Sequence, residues 1–165
     1  MRTNTCTAIR TSLFAFGGAM WLAVGAALAA DWPQFHGPHR DNVSTETGLL
    51  KQWPDGGPKL LWTARGIGEG FSSVAIANGL IYTTGNIGND TVITVLDLDG
   101  KPRWQAKNGP AFTRNCPGTR STPTVDGGRL YHQNADGDVV CLDAKTGKPG
   151  KRSHSVPAKT TGCVT

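Results

Sequence analysis

Three short motifs contain residue types that could do chemistry. His36 and His39 could begin a metal site, but no third ligand is apparent, so a solvated Pro/Gly-rich turn is the better interpretation. Residues 66–70 are glycine-rich like a phosphate-binding loop, but they lack its spacing and precede strands instead of a helix. Asp136 and Asp138 lack the other ligands of a calcium loop, which favours a hairpin turn. With no Ser-His-Asp or paired-carboxylate arrangement, the sequence predicts no catalytic residue and no metal site.

The best candidate for a binding role is a loop between two similar segments of the chain. It carries Arg114, Asn115 and Arg120 within a Pro- and Gly-containing stretch. Connecting loops lie on protein surfaces and often carry the binding residues. The sequence therefore predicts a possible binding loop here, but it does not identify a ligand.

The elements that position this loop come from a pattern that occurs twice. Residues 73–104 and 122–149 each contain an apolar run ending in tyrosine, a strand-like run ending in Leu-Asp, and a Gly-Lys-Pro segment. The corresponding residues lie 49, 46 and 47 positions apart: Tyr82 and Tyr131, Leu96 and Leu142, Gly100 and Gly147. A period in the forties built from short strands and glycine turns is typical of a propeller blade. Such a unit cannot bury its own faces and must stack on neighbours.

Each copy is explained by strands and tight turns. Asn78-Gly79 between apolar runs is a strong signal for a two-residue hairpin, and residues 126–128 play the same part in the second copy. Residues 91–96 are rich in β-branched side chains, which favours a buried strand, and residues 101–105 form the last strand of the first copy. Nothing between Trp32 and Gly150 has a helical period. The sequence therefore predicts an all-β fold.

The two ends differ from this repeat region. Residues 1–29 are predicted to be a secretory signal peptide, because basic residues precede an apolar run that ends in Ala-Leu-Ala. A membrane anchor is the weaker alternative, since the run is short for a span. Residues 30–59 are predicted to be an extended segment and residues 60–150 the repeats. Residues 151–165 are polar and basic, which predicts a disordered or frame-shifted tail on a truncated chain, or a natural short protein with a disordered tail.

The charge balance argues against a nucleic-acid partner. The net charge of +5 becomes +3 once Arg2 and Arg10 leave with the signal peptide, and three basic residues within 151–165 account for that remainder. Residues 30–150 therefore hold twelve basic and twelve acidic residues. Because the excess lies at the ends, we predict no nucleic-acid binding.

The cysteines allow two interpretations. A bridge between Cys116 and Cys141 is possible in an oxidising compartment. The alternative is a loop thiol at position 116 and a small buried hydrophobic residue at position 141. The absence of a C-x-x-C motif gives no indication of zinc binding or redox chemistry.

The repeats resemble the PQQ-type, WD40-like β-propeller family. The residues that carry the resemblance are Leu-Asp followed by Gly-Lys-Pro-Arg-Trp at 96–104 and Leu-Asp-Ala-Lys-Thr-Gly-Lys at 142–148, together with the opening segment 31–41. The resemblance implies about two four-stranded blades of an eight-bladed propeller. It also implies that Trp104, and Trp62 in the equivalent position 42 residues earlier, dock between blades. The first turn is one residue shorter than the family pattern, and Lys151 stands where the next tryptophan is expected.

The family includes quinoprotein alcohol dehydrogenases and non-enzymatic outer-membrane assembly factors of the BamB type. We favour an exported, non-catalytic scaffold in the periplasm or outside the cell that binds a protein or envelope component through its propeller faces. No cofactor and no membrane span after signal cleavage are expected. The alternative is a fragment of a PQQ-dependent alcohol or sugar dehydrogenase, in which PQQ sits with Ca²⁺ in the central channel.

Overall fold

The computed structural model describes residues 30–150, so the predicted signal peptide and tail lie outside the described residues. These residues form two antiparallel sheets, one of four strands and one of three. The first sheet contains β1 (Ala75–Ala77), β2 (Leu80–Ile87), β3 (Asp90–Asp97) and β4 (Pro102–Pro110), in that order. The second contains β5 (Thr124–Asp126), β6 (Arg129–Gln133) and β7 (Val139–Asp143).

The all-β prediction is confirmed, and the two sheets are consistent with part of a propeller. Within residues 30–150, the structure contains no helix that could cross a membrane. The second sheet has three strands where the sequence predicts four. A single bridge between Leu142 and Pro149 marks the place of a fourth, and the same pairing, Leu96 with Pro102, begins β4 in the first sheet.

The predicted hairpin turns form because their residues accept positive φ angles. Asn78 has φ 52° and Gly79 has φ 73° between paired residues of β1 and β2. Gly127 and Gly128 have φ 53° and 78° between β5 and β6. Two consecutive positive φ angles give the turn type whose twist matches that of antiparallel strands. These turns fix the register, and with it the face that each side chain occupies.

The last strand of the first sheet is longer than the sequence predicts. Strand β4 continues to Pro110, five residues beyond the expected end. Trp104, Ala106 and Asn108 alternate with exposed residues along it, so one face of β4 is turned inward. A partly polar alternation of this kind is a weaker sequence signal than the β-branched run of β3, which explains the missed extension.

The core lies between the two sheets. It contains side chains of the first sheet, among them Tyr82, Ile93 and Val95, and of the second sheet, including Leu130 and Leu142. Complete burial of an aliphatic side chain contributes about 1.5–3 kcal/mol. Neither sheet could bury this surface alone, so the repeats stabilise each other.

The cysteine alternatives are resolved in part. Cys116 is an exposed free thiol, so the Cys116–Cys141 bridge does not form. Cys141 is buried, as the alternative expected, but it is disulfide-bonded. Cys116 lies on the connection between the sheets and Cys141 lies within β7, paired with Tyr131, so the two occupy different parts of the fold.

Gly85 is a position where the first sheet tolerates no side chain. A Cβ there would collide with the carbonyl oxygen of Ile67 and lie 2.8 Å from the backbone of Gly68. Because backbone cannot rotate away, we expect Gly85→Ala to lower the free energy of unfolding by about 1–3 kcal/mol in urea denaturation. Gly88→Asn in the same hairpin is the control, because φ is 58° and no atom lies within 4 Å of its Cβ position. Equal stability of both variants would contradict this packing.

Candidate binding loop and the interface between the sheets

Trp104 on β4 lies against the turn that follows β7. Its Nε1 donates a hydrogen bond to the carbonyl oxygen of Ala144 at 3.3 Å. A Cβ on Gly147 would lie 2.5 Å from Trp104 Cε3, so the indole covers the glycine directly. Asp143 holds this turn by accepting hydrogen bonds from the backbone and hydroxyl of Thr146, which lower the pKa of its carboxyl.

Trp62 makes the same contact one repeat earlier. Its Nε1 donates to the carbonyl oxygen of Leu98 at 3.0 Å, and a Cβ on Gly100 would lie 2.6 Å from its Cε3. Leu98 and Ala144 occupy equivalent positions, since each follows the Leu-Asp pair of its repeat. Trp62 is 40% exposed, whereas Trp104 is partly buried against the core. The docking role of both residues stays a prediction, which the substitutions in the Discussion test.

A polar network joins the two sheets farther along β4. The side-chain Nδ2 of Asn108 lies 2.9 Å from His132 Nδ1 and 3.1 Å from the carbonyl oxygen of His132. Asn134 Nδ2 donates in return to the carbonyl oxygen of Asn108 at 3.1 Å and to Asp138 at 3.2 Å. Asn108, His132 and Asn134 are all buried. Buried networks of this kind specify one relative arrangement of the elements they join.

His132 is held in its neutral form. Because Asn108 Nδ2 can only donate, His132 Nδ1 accepts and the ring proton resides on Nε2. Nε2 is buried and has no hydrogen-bond partner. Burial disfavours the imidazolium and lowers the pKa of His132 from 6.5 to about 4.

The predicted binding loop connects β4 to β5, and Arg120 holds it together. Arg120 Nη2 donates to the carbonyl oxygens of Asn115 and Cys116, both at 2.9 Å. Cys116 has φ 53°, so the chain direction reverses at the residues that Arg120 contacts. Arg120 and Asn115 are thus brought together, with the backbone of Asn115 making the contact.

Two phenylalanines complete this exposed surface. The Cζ of Arg120 lies 4.6 Å from the ring centroid of Phe112 and 5.9 Å from that of Phe71. The Cζ of Arg114 lies 5.4 Å from the centroid of Phe112. These four residues are referred to below as the aromatic–arginine surface. Cation–π contacts hold the guanidinium groups in place without neutralising them.

A cavity of about 420 Å³ opens beside this surface. It lies between the β4–β5 connection and the turn joining β6 to β7. Its walls include Phe112, Arg120, Ser121, His132, Gln133 and Ala135. The cavity therefore combines one guanidinium group with hydroxyl, amide and aromatic groups.

The arginines of the loop can be recognised from the sequence, but their partners cannot. Phe71 and Phe112 are 41 positions apart, and no local pattern links them. His132 and Asn108 were also missed, although a histidine alternating with Leu130 on a strand places it on the core face. The histidine motif and the Asp136–Asp138 motif make local contacts. His36 Nδ1 lies 2.8 Å from Asn42 Oδ1, and residues 134–138 form a hairpin turn that Asn134 closes.

A short N-terminal segment joins the first strands of both sheets. Trp32 exchanges two backbone hydrogen bonds of 2.8 Å with Ile76 of β1. The next residue, Pro33, accepts a hydrogen bond of 2.8 Å from the backbone N–H of Val125 on β5. In a closed propeller, the first strands of the blades surround the central channel. In a closed propeller, the edge that this segment occupies in both sheets would therefore face the channel.

PQQ and Ca²⁺ would need specific partners at this edge. The carboxylates of PQQ require cationic partners, and Ca²⁺ requires several oxygen ligands. Strands β1 and β5 contribute Ala75, Ile76, Ala77, Thr124, Val125 and Asp126. Among residues 30–150, no group of three His, Cys, Asp or Glu side chains could hold a metal ion. These six residues include no cation and only one carboxylate, that of Asp126, so this edge does not fit the cofactor.

Comparison with known proteins supports the interpretation of the repeats. A family model described as outer membrane protein assembly factor BamB, built on PQQ repeats, matches residues 38–162. A search of curated proteins found no match. The family match spans most of the chain and includes both sheets. The chain therefore belongs to the BamB-like PQQ-repeat family of β-propeller proteins.

Proposed function

We propose that this protein is an exported, non-catalytic scaffold that binds a protein of the cell envelope through its aromatic–arginine surface. The family description, an outer membrane assembly factor, supports interaction with proteins and a location in the cell envelope. The observation that carries the proposal is the cluster in which exposed Phe71, Arg114 and Arg120 surround the half-buried ring of Phe112.

The composition of this surface is typical of protein-binding hot spots. Arginine and aromatic residues are enriched at interfaces, and a few such residues carry most of the binding energy. Phe71 is 66% exposed, so its ring is accessible to a partner. Arg120 is already ordered by two carbonyl oxygens and two rings, so binding would immobilise little additional side-chain freedom.

The dehydrogenase alternative requires a different edge of the sheets. Its cofactor would occupy the channel side, where Trp32 and Pro33 already satisfy backbone groups of β1 and β5. Displacing them would expose these groups or require new partners for them. This cost favours the scaffold over the dehydrogenase.

A crosslinking experiment in the producing cells tests the proposal. A photoreactive phenylalanine analogue replaces Phe71, and a matched control replaces Asp126, the exposed last residue of β5. We expect one envelope protein to be captured at position 71, with at least about tenfold less at position 126. Phe112→Ala should weaken capture by roughly tenfold or more, because it removes the ring shared by both arginines.

An activity assay of the purified protein distinguishes the scaffold from the dehydrogenase. The protein is incubated with PQQ and Ca²⁺ and assayed for dye-linked oxidation of alcohols. Turnover would overturn the scaffold proposal, as would equal crosslinking at positions 71 and 126.

A further inference from the structure

We propose that the cavity beside Arg120 binds a carboxylate, supplied by an acidic side chain of the protein partner. This inference rests on the proposed function and names the chemistry that the scaffold recognises. The cavity volume of about 420 Å³ accommodates one or two residues of a peptide.

The loop beside the cavity carries unneutralised positive charge. The segment 111–121 contains Arg114 and Arg120 and no acidic residue. Neither arginine makes a salt bridge, whereas the two ion pairs of the described residues use Arg103 and Lys107. An anion at this place would therefore meet guanidinium groups that no carboxylate of residues 30–150 already occupies.

The hydrogen bonds of Arg120 leave part of its guanidinium group free. Both of them are made by Nη2, so Nε and Nη1 remain available to an acceptor. The guanidinium is also held near two rings, which fixes its plane beside the cavity. A preorganised guanidinium forms strong charge-assisted hydrogen bonds to carboxylates.

The cavity walls also offer hydrogen-bond donors. The hydroxyl of Ser121 and the side-chain amide of Gln133 can both donate to a carboxylate beside Arg120. Arg120 is the only cationic side chain among the cavity walls of the described residues. A singly charged carboxylate matches this one guanidinium better than a phosphate dianion does.

Fluorescence anisotropy with the chain from residue 30 onward tests the inference. The probes are a labelled Gly/Ser hexapeptide with two glutamates and the same peptide with glutamines. We expect the glutamate peptide to bind at least about tenfold more tightly. Arg120→Lys and Ala135→Trp should each weaken binding by about tenfold, the first by removing the planar fork and the second by filling the cavity.

Arg103→Lys is the matched control, because it makes the same charge-conserving change at an arginine that pairs with Asp97 at the other end of β4. It should change binding less than about twofold. Ala135→Trp keeps the Arg120 contacts, so it tests the cavity even if the Arg120 variant loses its loop. Competition by succinate would support carboxylate recognition independent of a peptide, and its absence would support recognition of the side chain within a peptide.

Equal affinity for the glutamate and glutamine peptides would overturn the inference, as would competition by inorganic phosphate at the same concentration as succinate. Either result would leave the proposed function testable, since crosslinking at Phe71 does not depend on the cavity. Loss of crosslinking at Phe71 with retained glutamate binding would instead reject the scaffold surface.

Discussion

Replacing Trp104 with alanine is expected to lower the free energy of unfolding by about 3–5 kcal/mol. The indole packs against the core between the two sheets and covers Gly147, so its removal leaves a cavity that backbone cannot fill. The hydrogen bond from Nε1 to Ala144 is lost as well, at about 1 kcal/mol. Equilibrium denaturation in urea, followed by circular dichroism, measures the change.

Trp62→Ala is the matched comparison. Its geometry on Gly100 is the same, but the side chain is 40% exposed and less apolar area is lost. We expect a reduction of about 1–2 kcal/mol. Equal and small effects of both substitutions would contradict the assignment of Trp104 to the interface between repeats.

Acidification is expected to destabilise the folded protein by protonating His132 between the two sheets. The pKa is 6.5 in an unfolded chain and about 4 in the folded protein, so folding favours the neutral ring. The contribution of neutral His132 to the free energy of unfolding is fully present above about pH 6.5 and is lost as the pH falls toward 4. The difference corresponds to about 3 kcal/mol, because one pKa unit is about 1.4 kcal/mol. Protonation also removes the acceptor for Asn108.

Urea midpoints measured between pH 7.5 and 4 test this dependence, with His132→Gln as the reference. Carboxylates contribute to acid unfolding too, among them Asp143 with its lowered pKa, so the difference between the proteins isolates His132. The wild-type chain should lose more stability than the variant across this range. If the urea midpoints of the two proteins fall equally as the pH is lowered, protonation of His132 does not oppose folding.

The local structure follows closely from the sequence because its determinants are local. Asn78-Gly79 and the β-branched run of β3 specify a turn and a strand, and both form where predicted. The 42-residue spacing of Trp62 and Trp104 predicts equivalent contacts, since both tryptophans fall at one position of the repeat. Repetition supplies this information even though the contacting residues are distant in sequence.

The binding surface could be predicted only in part, because its residues converge from separate segments. Arg120 stands out as a charge in a long connection, but Phe71 reaches it through backbone pairing of residues 70 and 71 with Thr119. No short-range pattern encodes that pairing. The network of Asn108 and His132 likewise depends on how β4 crosses the second sheet, which strand periodicity does not specify.

The two repeats are consecutive blades, and a tryptophan of one blade packs on a glycine of the next blade. NMR spectroscopy tests it through nuclear Overhauser effects from Trp104 Hε3 to the Hα protons of Gly147. The packing predicts strong cross-peaks and an upfield ring-current shift of those protons, with the same pair of signals between Trp62 and Gly100. Cross-peaks from Trp104 confined to its own sheet, with Gly147 at unshifted positions, would contradict the account.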